Sequence, residues 1–153
     1  MKRVLMVANR PSPNTARLWD AAARGLKHPE LDGIDAICLD PLDAGPDALR
    51  EADAILIGTT ENFGYISGLV KDFFERVYYA CEGETEGLPF VYYVRAGRDG
   101  TGTVRAINGI AQGLGWRPVQ APVVLHGDWQ DGFCEQVEEL AMTLGAGVSA
   151  GLY

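Results

Sequence analysis

The sequence predicts an α/β fold, a doubly wound five-stranded parallel sheet with helices on both faces. Three observations predict it. Short continuous apolar runs, typical of strands covered on both sides, recur at Val4–Ala8, Ile34–Leu39, Asp53–Gly58, Phe90–Val94 and Val119–Leu125. Helical segments, five in all, alternate with these runs, and no internal repeat or linker breaks the series. The length, 153 residues, suits one domain, expected to span residues 1–153 and able to bury about 70% of the surface its unfolded chain exposes. For such a domain the expected strand order is 2-1-3-4-5, with the switch point between strands one and three.

Val4–Ala8 leads into Asn9-Arg10-Pro11-Ser12-Pro13-Asn14-Thr15, whose prolines and small polar residues mark a loop ending in helix-cap chemistry. The first helix sets Leu18, Ala22 and Leu26 on one face, with Trp19 and Ala23 beside them, and Gly25 and Pro29 help to stop it. Ile34–Leu39 follows the turn Leu31-Asp32-Gly33, and the tract from Asp40 to Pro46 precedes a short helix near Asp47–Glu51. After Asp53–Gly58 comes the polar tract Thr59 to Tyr65, then a helix over Ile66–Ala80 with Ile66, Leu69, Val70, Phe73, Phe74 and Val77 apolar. Lys71 with Glu75, and Asp72 with Arg76, form favourable i,i+4 pairs on its outer face. A Glu- and Gly-rich loop at 82–87 separates it from Phe90–Val94, and Arg95 to Gly102 is a second long polar loop. Val104, Ile107, Ala111 and Leu114 predict a helix ending near Gly115. Pro118 and Pro122 assign Val119–Leu125 to an edge of the sheet. The last helix runs from about Asp131, with Phe133, Val137, Leu140, Ala141, Leu144 and Val148 inward.

Composition narrows the function. A formal charge of -8 argues against a nucleic-acid partner, because phosphate backbones are bound by neutralising them with Lys and Arg. No apolar run approaches the roughly 20 residues that span a bilayer, so no membrane span is expected. Cys38, Cys81 and Cys134 are odd in number and widely spaced, which indicates neither a disulfide framework nor a zinc site and points to a reducing cytoplasm. With two histidines, His28 and His126, no metal centre is expected. There is no P-loop, no G-x-G-x-x-G fingerprint after the first strand and no G-x-S-x-G elbow. A response-regulator receiver is set aside because Gly58-Thr59 stands where its phosphorylated Asp would end strand three.

On the expected order, the loops after Ala8 and Gly58 lie side by side at the carboxyl edge, with the loop after Val94 next to them. Ser12, Asn14 and Thr15 sit at a helix amino terminus, where free N–H groups and the helix dipole suit a phosphate, although the same residues serve equally as caps. Thr59, Thr60, Glu61 and Asn62 supply hydrogen-bonding groups and Phe63 and Tyr65 planar surfaces, while Gly58 and Gly64 allow close backbone approach. That set suits a flat ring with polar edges; either aromatic taken singly is more readily a cover for the core. In the third loop Ala96, Gly97 and Gly100 leave amides for the carbonyl edge of a ring, against the alternative of an ordinary flexible loop. Glu61 and Asp99 are carboxylates placed to tune a ring or simply to face solvent, and Trp129 is placed to cover the site or to pack.

The ungapped stretch from Gly58 to Arg76 resembles the flavodoxin-like flavoproteins, particularly their NAD(P)H-dependent FMN and quinone reductase branch, with its pattern G-[ST]-P-x-Y-x-G-x-x-S-G-x-x-K-x-F-x-D-R. Gly58, Thr59, Gly64, Ser67, Gly68, Lys71, Phe73 and Arg76 match, and Glu75 replaces Asp conservatively. Ser12-Pro13-Asn14-Thr15 resembles the family's phosphate loop, which usually ends S/T-G-N-T. Thr60 and Asn62 stand where the family carries Pro and Tyr, leaving Phe63 or Tyr65 as the aromatic contact; Pro13 replaces a Gly, and Arg10 adds positive charge for a phosphate.

The resemblance implies FMN as cofactor, NADPH or NADH as electron donor, and a quinone, a flavin or a similar acceptor. The flavin then carries the chemistry and no protein residue is catalytic in its own right. It also implies a small-molecule redox substrate or a redox protein as partner, and a homodimer. Two rivals stand beside the reductase: a one-electron carrier whose acidic surface docks to a basic redox partner, and a cofactor-free interaction domain.

Overall fold

The computed structural model describes all of residues 1–153. Its elements are β1 Lys2–Ala8, α1 Pro13–Leu26, β2 Ile34–Leu39, a 3₁₀ turn Pro41–Asp43, α2 Pro46–Arg50, β3 Ala54–Asn62, β4 Tyr65–Ile66, α3 Gly68–Cys81, β5 Pro89–Ala96, α4 Thr101–Gly113, β6 Arg117–Pro118, β7 Val123–His126 and α5 Gly132–Ser149. The main sheet is parallel, in the order β2-β1-β3-β5, and β6 and β7 share the outer flank of β5. Counting β6 and β7 as one interrupted strand, this is the expected 2-1-3-4-5.

Alternation along the central strands divides the core in two. Leu5 and Val7, Ile55 and Ile57, and Phe90, Tyr92 and Val94 point to one face, where Val70, Phe73, Phe74 and Val77 of α3 and Ile107 of α4 cover them. Val4, Met6 and Ala8, Leu56, and Val91 and Tyr93 point to the other, beneath Leu18 and Ala22 of α1 and Val137, Leu140 and Leu144 of α5. Each Val, Leu, Ile, Met or Phe side chain among them contributes about 1.5–3 kcal/mol by leaving water. Gly25 lets α1 and α5 touch, since a methyl there would lie 2.7 Å from Ala141 Cβ.

The expected elements are present and several limits shift. Strand three does not end at Gly58: Thr59, Thr60, Glu61 and Asn62 continue it, because Thr59 and Thr60 pair in register with Val94 and Arg95. The tract expected to be a loop is therefore a hairpin, with Glu61 opposite Ile66 and Asn62 opposite Tyr65. Its two-residue turn is Phe63-Gly64, with φ of 54° and 73°, and the sequence hides it because a bulky residue rarely enters the left-handed region. The third helix starts at Gly68, as Ile66 is used in β4. The first helix starts at Pro13, placing Asn14 and Thr15 in its first turn, and Ala96 belongs to β5 rather than to the following loop. The last strand is not continuous over Val119–Leu125; it lies at the edge as expected, but Pro118 and Pro122, which donate no N–H, bracket a break in it. The helix pairs form, Lys71 to Glu75 at 3.8 Å and Arg76 to Asp72 at 2.7 Å, and all three cysteines are free.

Candidate functional site at the carboxyl edge of the sheet

Three chain segments meet where β1, β3 and β5 end. The first is Asn9 to Ser12 and the start of α1. Ser12 caps the helix through a capping box: its hydroxyl accepts from Thr15 N at 3.1 Å, and Thr15 Oγ1 accepts from Ser12 N at 2.8 Å. Thr15 is buried, whereas Ser12 and Asn14 are exposed. Because Pro11 and Pro13 have no N–H and the amides of Ser12 and Thr15 are used inside the cap, Asn14 supplies the free amide of the helix start. Arg10 is committed elsewhere: its guanidinium pairs with Asp40 at 3.1 Å and lies 4.0 Å over the Trp19 ring.

The second segment is the β3–β4 hairpin. Thr59, 1% exposed, faces inward, where its hydroxyl accepts from Ser67 N at 3.2 Å and donates to Thr60 O at 3.0 Å. It ties the hairpin to α3 and is withdrawn from the edge. Thr60 belongs to a chain of hydrogen bonds that faces the switch point: Asn9 Nδ2 donates to Thr60 Oγ1 at 3.2 Å, and Thr60 donates to Asn62 Oδ1 at 3.0 Å. Asn9 is 5% exposed, and its Oδ1 is buried with no partner. A buried amide oxygen left unpaired costs about 1–3 kcal/mol; Trp19 Nε1, Tyr93 O–H and Thr103 Oγ1 are also buried and unpaired, and the Asn9 oxygen is the one that lies at the switch point. Asn9 was not a candidate from the sequence; a polar residue directly behind the apolar run Val4–Ala8 was the available signal. At the hairpin tip Phe63 is fully exposed, and Tyr65 is 45% exposed.

The third segment, Gly97 to Gly100, is held to the second by Glu61. Its two carboxylate oxygens accept from Arg98 N and Gly100 N, each at 2.9 Å. The carboxylate expected to tune a ring thus uses the loop amide of Gly100 itself. Gly100, with φ 72°, starts α4; a methyl on Gly102 would collide with the Gly64 carbonyl, so the hairpin turn lies directly on the start of α4. Gly97 faces open space, and Ala96 is buried. Asp99 accepts from Thr101 N at 3.0 Å, and that backbone bond holds its carboxyl below the usual range. Trp129 is half-buried: it packs edge-on against Phe133 at 5.5 Å, donates to Asp131 at 3.2 Å and lies beside the guanidiniums of Arg17 on α1 and Arg95 at the carboxyl end of β5.

The topology therefore brings Ser12, Asn14, Thr60, Glu61, Asn62, Phe63, Gly64, Tyr65, Gly97 and Gly100 to one edge and turns Thr59, Thr15 and Ala96 inward. Among solved structures the chain superposes on a flavodoxin from the domain Archaea with a TM-score of 0.81, covering 97% of this chain and 99% of that one at 17% identity. The chain has the flavodoxin fold. A flavodoxin, WrbA-like protein from Agrobacterium tumefaciens aligns over 98% of both chains with TM-score 0.73 and 18% identity. The apo form of the NADH:FMN oxidoreductase EmoB aligns over 95% of this chain and 89% of that one, with TM-score 0.71 and 14% identity. No protein-family model and no curated protein sequence matches the chain. No helix is long and apolar enough to cross a membrane, and no group of His, Cys, Asp and Glu side chains is arranged to hold a metal.

Proposed function

We propose that the chain is an FMN-binding flavoprotein, and within that class an NAD(P)H-dependent oxidoreductase serving a quinone, a flavin or a similar small acceptor. The observation that carries the reading is the unpartnered, buried Asn9 oxygen at the switch point of a flavodoxin fold. FMN fits it chemically: a ribityl hydroxyl or a ring N–H is the donor this acceptor lacks. Asn14 and Ser12 would hold the phosphate at the start of α1, and Asn62 would meet polar groups beside Asn9 and Thr60. Tyr65 and Phe63 are the exposed aromatic surfaces beside them.

Bound there, FMN supplies hydride and electron transfer. The chain's own work is positioning. Glu61 locks the Arg98 and Gly100 amides to the end of β3, so two of the three segments move as one piece. Thr59 fixes the hairpin to α3 from beneath, and the Arg10–Asp40 pair anchors the first segment to the end of β2.

The test is purification with and without added FMN. At a hundredfold excess over Kd, FMN adds about 2.7 kcal/mol, which raises the melting temperature of a chain of this size by about 8 °C. A colourless protein whose melting temperature ignores excess FMN ends the cofactor reading. A second reading, a one-electron carrier, is favoured by the net charge of -8, which suits docking to a basic redox protein. Anaerobic NADPH or NADH separates the two: the oxidoreductase bleaches with one of them, and the carrier stays yellow until a partner reductase is added.

A further inference from the structure

The break in the edge strand has opened a cavity that the carboxyl-edge site does not use. Phe90 pairs with Pro118 and Tyr93 with Val123, so residues 119 to 122 lie opposite only Val91 and Tyr92. Two surplus residues must bow away from the sheet, and the prolines at both ends of the bow prevent the ladder from closing over it. Beneath the bow, between β5 and α4, is a cavity of about 600 Å³. That volume lies within the roughly 300–1,000 Å³ usual for small-molecule sites.

Its lining is selective. In a chain with 22% charged residues, none of the residues around the cavity is charged. Its floor is the edge of the aromatic core, where Phe90, Tyr92 and Trp116 are each 2–4% exposed: Phe90 and Tyr92 stack at 5.9 Å with an interplanar angle of 9°, and Trp116 meets Phe90 at 5.6 Å. The rim carries three carboxamides, Asn108 and Gln112 from α4 and Gln120 from the bow. Tyr92 O–H donates to Asn108 Oδ1 at 2.7 Å, and burial pushes this phenol up to about 12, so it remains a donor well into the alkaline range. The Asn108 oxygen is thereby occupied and its NH2 group left without an acceptor inside the chain. The free Asn108 NH2 asks for an acceptor such as a carbonyl oxygen, Gln112 and Gln120 can donate or accept beside it, and with no cation on the rim a neutral ligand is favoured over a phosphate or a carboxylate.

We propose that this cavity is a second ligand site, for an uncharged planar ring bearing carbonyl groups on its edge, the quinone class. It stands apart from the carboxyl edge, since Tyr92 precedes Ala96 by four residues, about 13 Å along the strand. It does not rest on FMN binding.

The test uses the full ¹⁵N-labelled chain and duroquinone, whose fully substituted ring cannot alkylate the three free thiols. The side-chain NH2 signals of Asn108, Gln112 and Gln120 and the Trp116 indole N–H are expected to shift together along one saturable curve. Ala121→Phe, which fills the cavity from the bow, and Gln112→Glu, which puts an anion on its rim, should each weaken the probe by at least about tenfold. Both positions are exposed, so unchanged melting curves will show that the variants fold. The same curve in the presence of FMN would show that the site is independent of the cofactor. Absence of saturable shifts at these four groups, shifts confined to Asn62, Gly97 and Gly100, displacement by FMN, or indifference to Ala121→Phe would each overturn the proposal.

Discussion

Replacing Glu61 by Gln tests whether one carboxylate holds two of the three edge segments together. Gln keeps one acceptor oxygen and turns the other into an NH2 group facing an N–H, so one of the two 2.9 Å bonds is lost and the remaining one loses its charge. Hydrogen bonds to an ionised acceptor contribute about 1.5–3 kcal/mol each, and a neutral bond about 1 kcal/mol, so the segment should loosen by about 2–5 kcal/mol. Gly100 is buried and cannot replace its partner with water, whereas exposed Arg98 can, so the larger share falls on Gly100. Opening of the 97–100 segment need not unfold the sheet, which makes native-state hydrogen exchange the right assay. The Gly100 amide should exchange at least about 30-fold faster in Glu61→Gln, while Leu56 and Val91 in the central strands stay within the shift in global stability. If the Gly100 amide is unprotected in the parent chain, or keeps its rate in the variant, Glu61 does not hold the segment and the positioning role assigned to it fails.

Gly58→Ala drives a methyl into the Tyr93 ring and to 2.7 Å from Ala8 Cβ, a fully enclosed clash that should cost about 3 kcal/mol in urea unfolding; a cost below about 1 kcal/mol would mean that the core yields there. Phe63→Asn should stabilise the chain by about 1 kcal/mol in the same measurement, because Asn tolerates a φ of 54° and the exposed ring gives up no packing; a loss of stability would show that the Phe63 side chain packs where none is seen. The Asp131 carboxyl is held below its ordinary value by hydrogen bonds from Trp129 and Arg17, so its contribution is complete above about pH 3.9 and is lost as the pH falls through its lower folded pKa. The Trp129 part of the fluorescence, isolated by subtracting Trp129→Phe, should therefore hold steady from neutrality to about pH 4 and change only below it; a transition near pH 6 would contradict the pairing. On the FMN reading, the sparse amides at the start of α1 predict that riboflavin binds within about tenfold of FMN in fluorescence titration, and a preference for FMN above about a thousandfold would show that the phosphate has donors not found at Ser12 and Asn14.

Hydrophobic period determined most of the fold from sequence alone. Runs such as Val4–Ala8 are short, continuously apolar and bounded by polar residues, which marks them as strands covered on both faces, and the alternation with helices then admits few topologies. The edge position of the last strand was equally legible, since prolines, having no N–H to donate, collect on edge strands, at strand starts and at bulges. Only the tertiary structure decided what the polar segments do. Thr59 to Asn62 look like a loop because they are polar, yet pairing with β5 carries them into the sheet, and a hydroxyl that turns inward and one that faces the edge read alike in a sequence. Arg10 and Glu61 carry charges whose partners, Asp40 and the amides of Arg98 and Gly100, are 30 to 39 residues away, so their commitment depends on the fold having closed. Asn9 and the cavity behind Pro118 and Pro122 belong to the same class. An unpaired buried oxygen and a gap between strand and helix are properties of what surrounds a residue, and those surroundings exist only once the chain has folded.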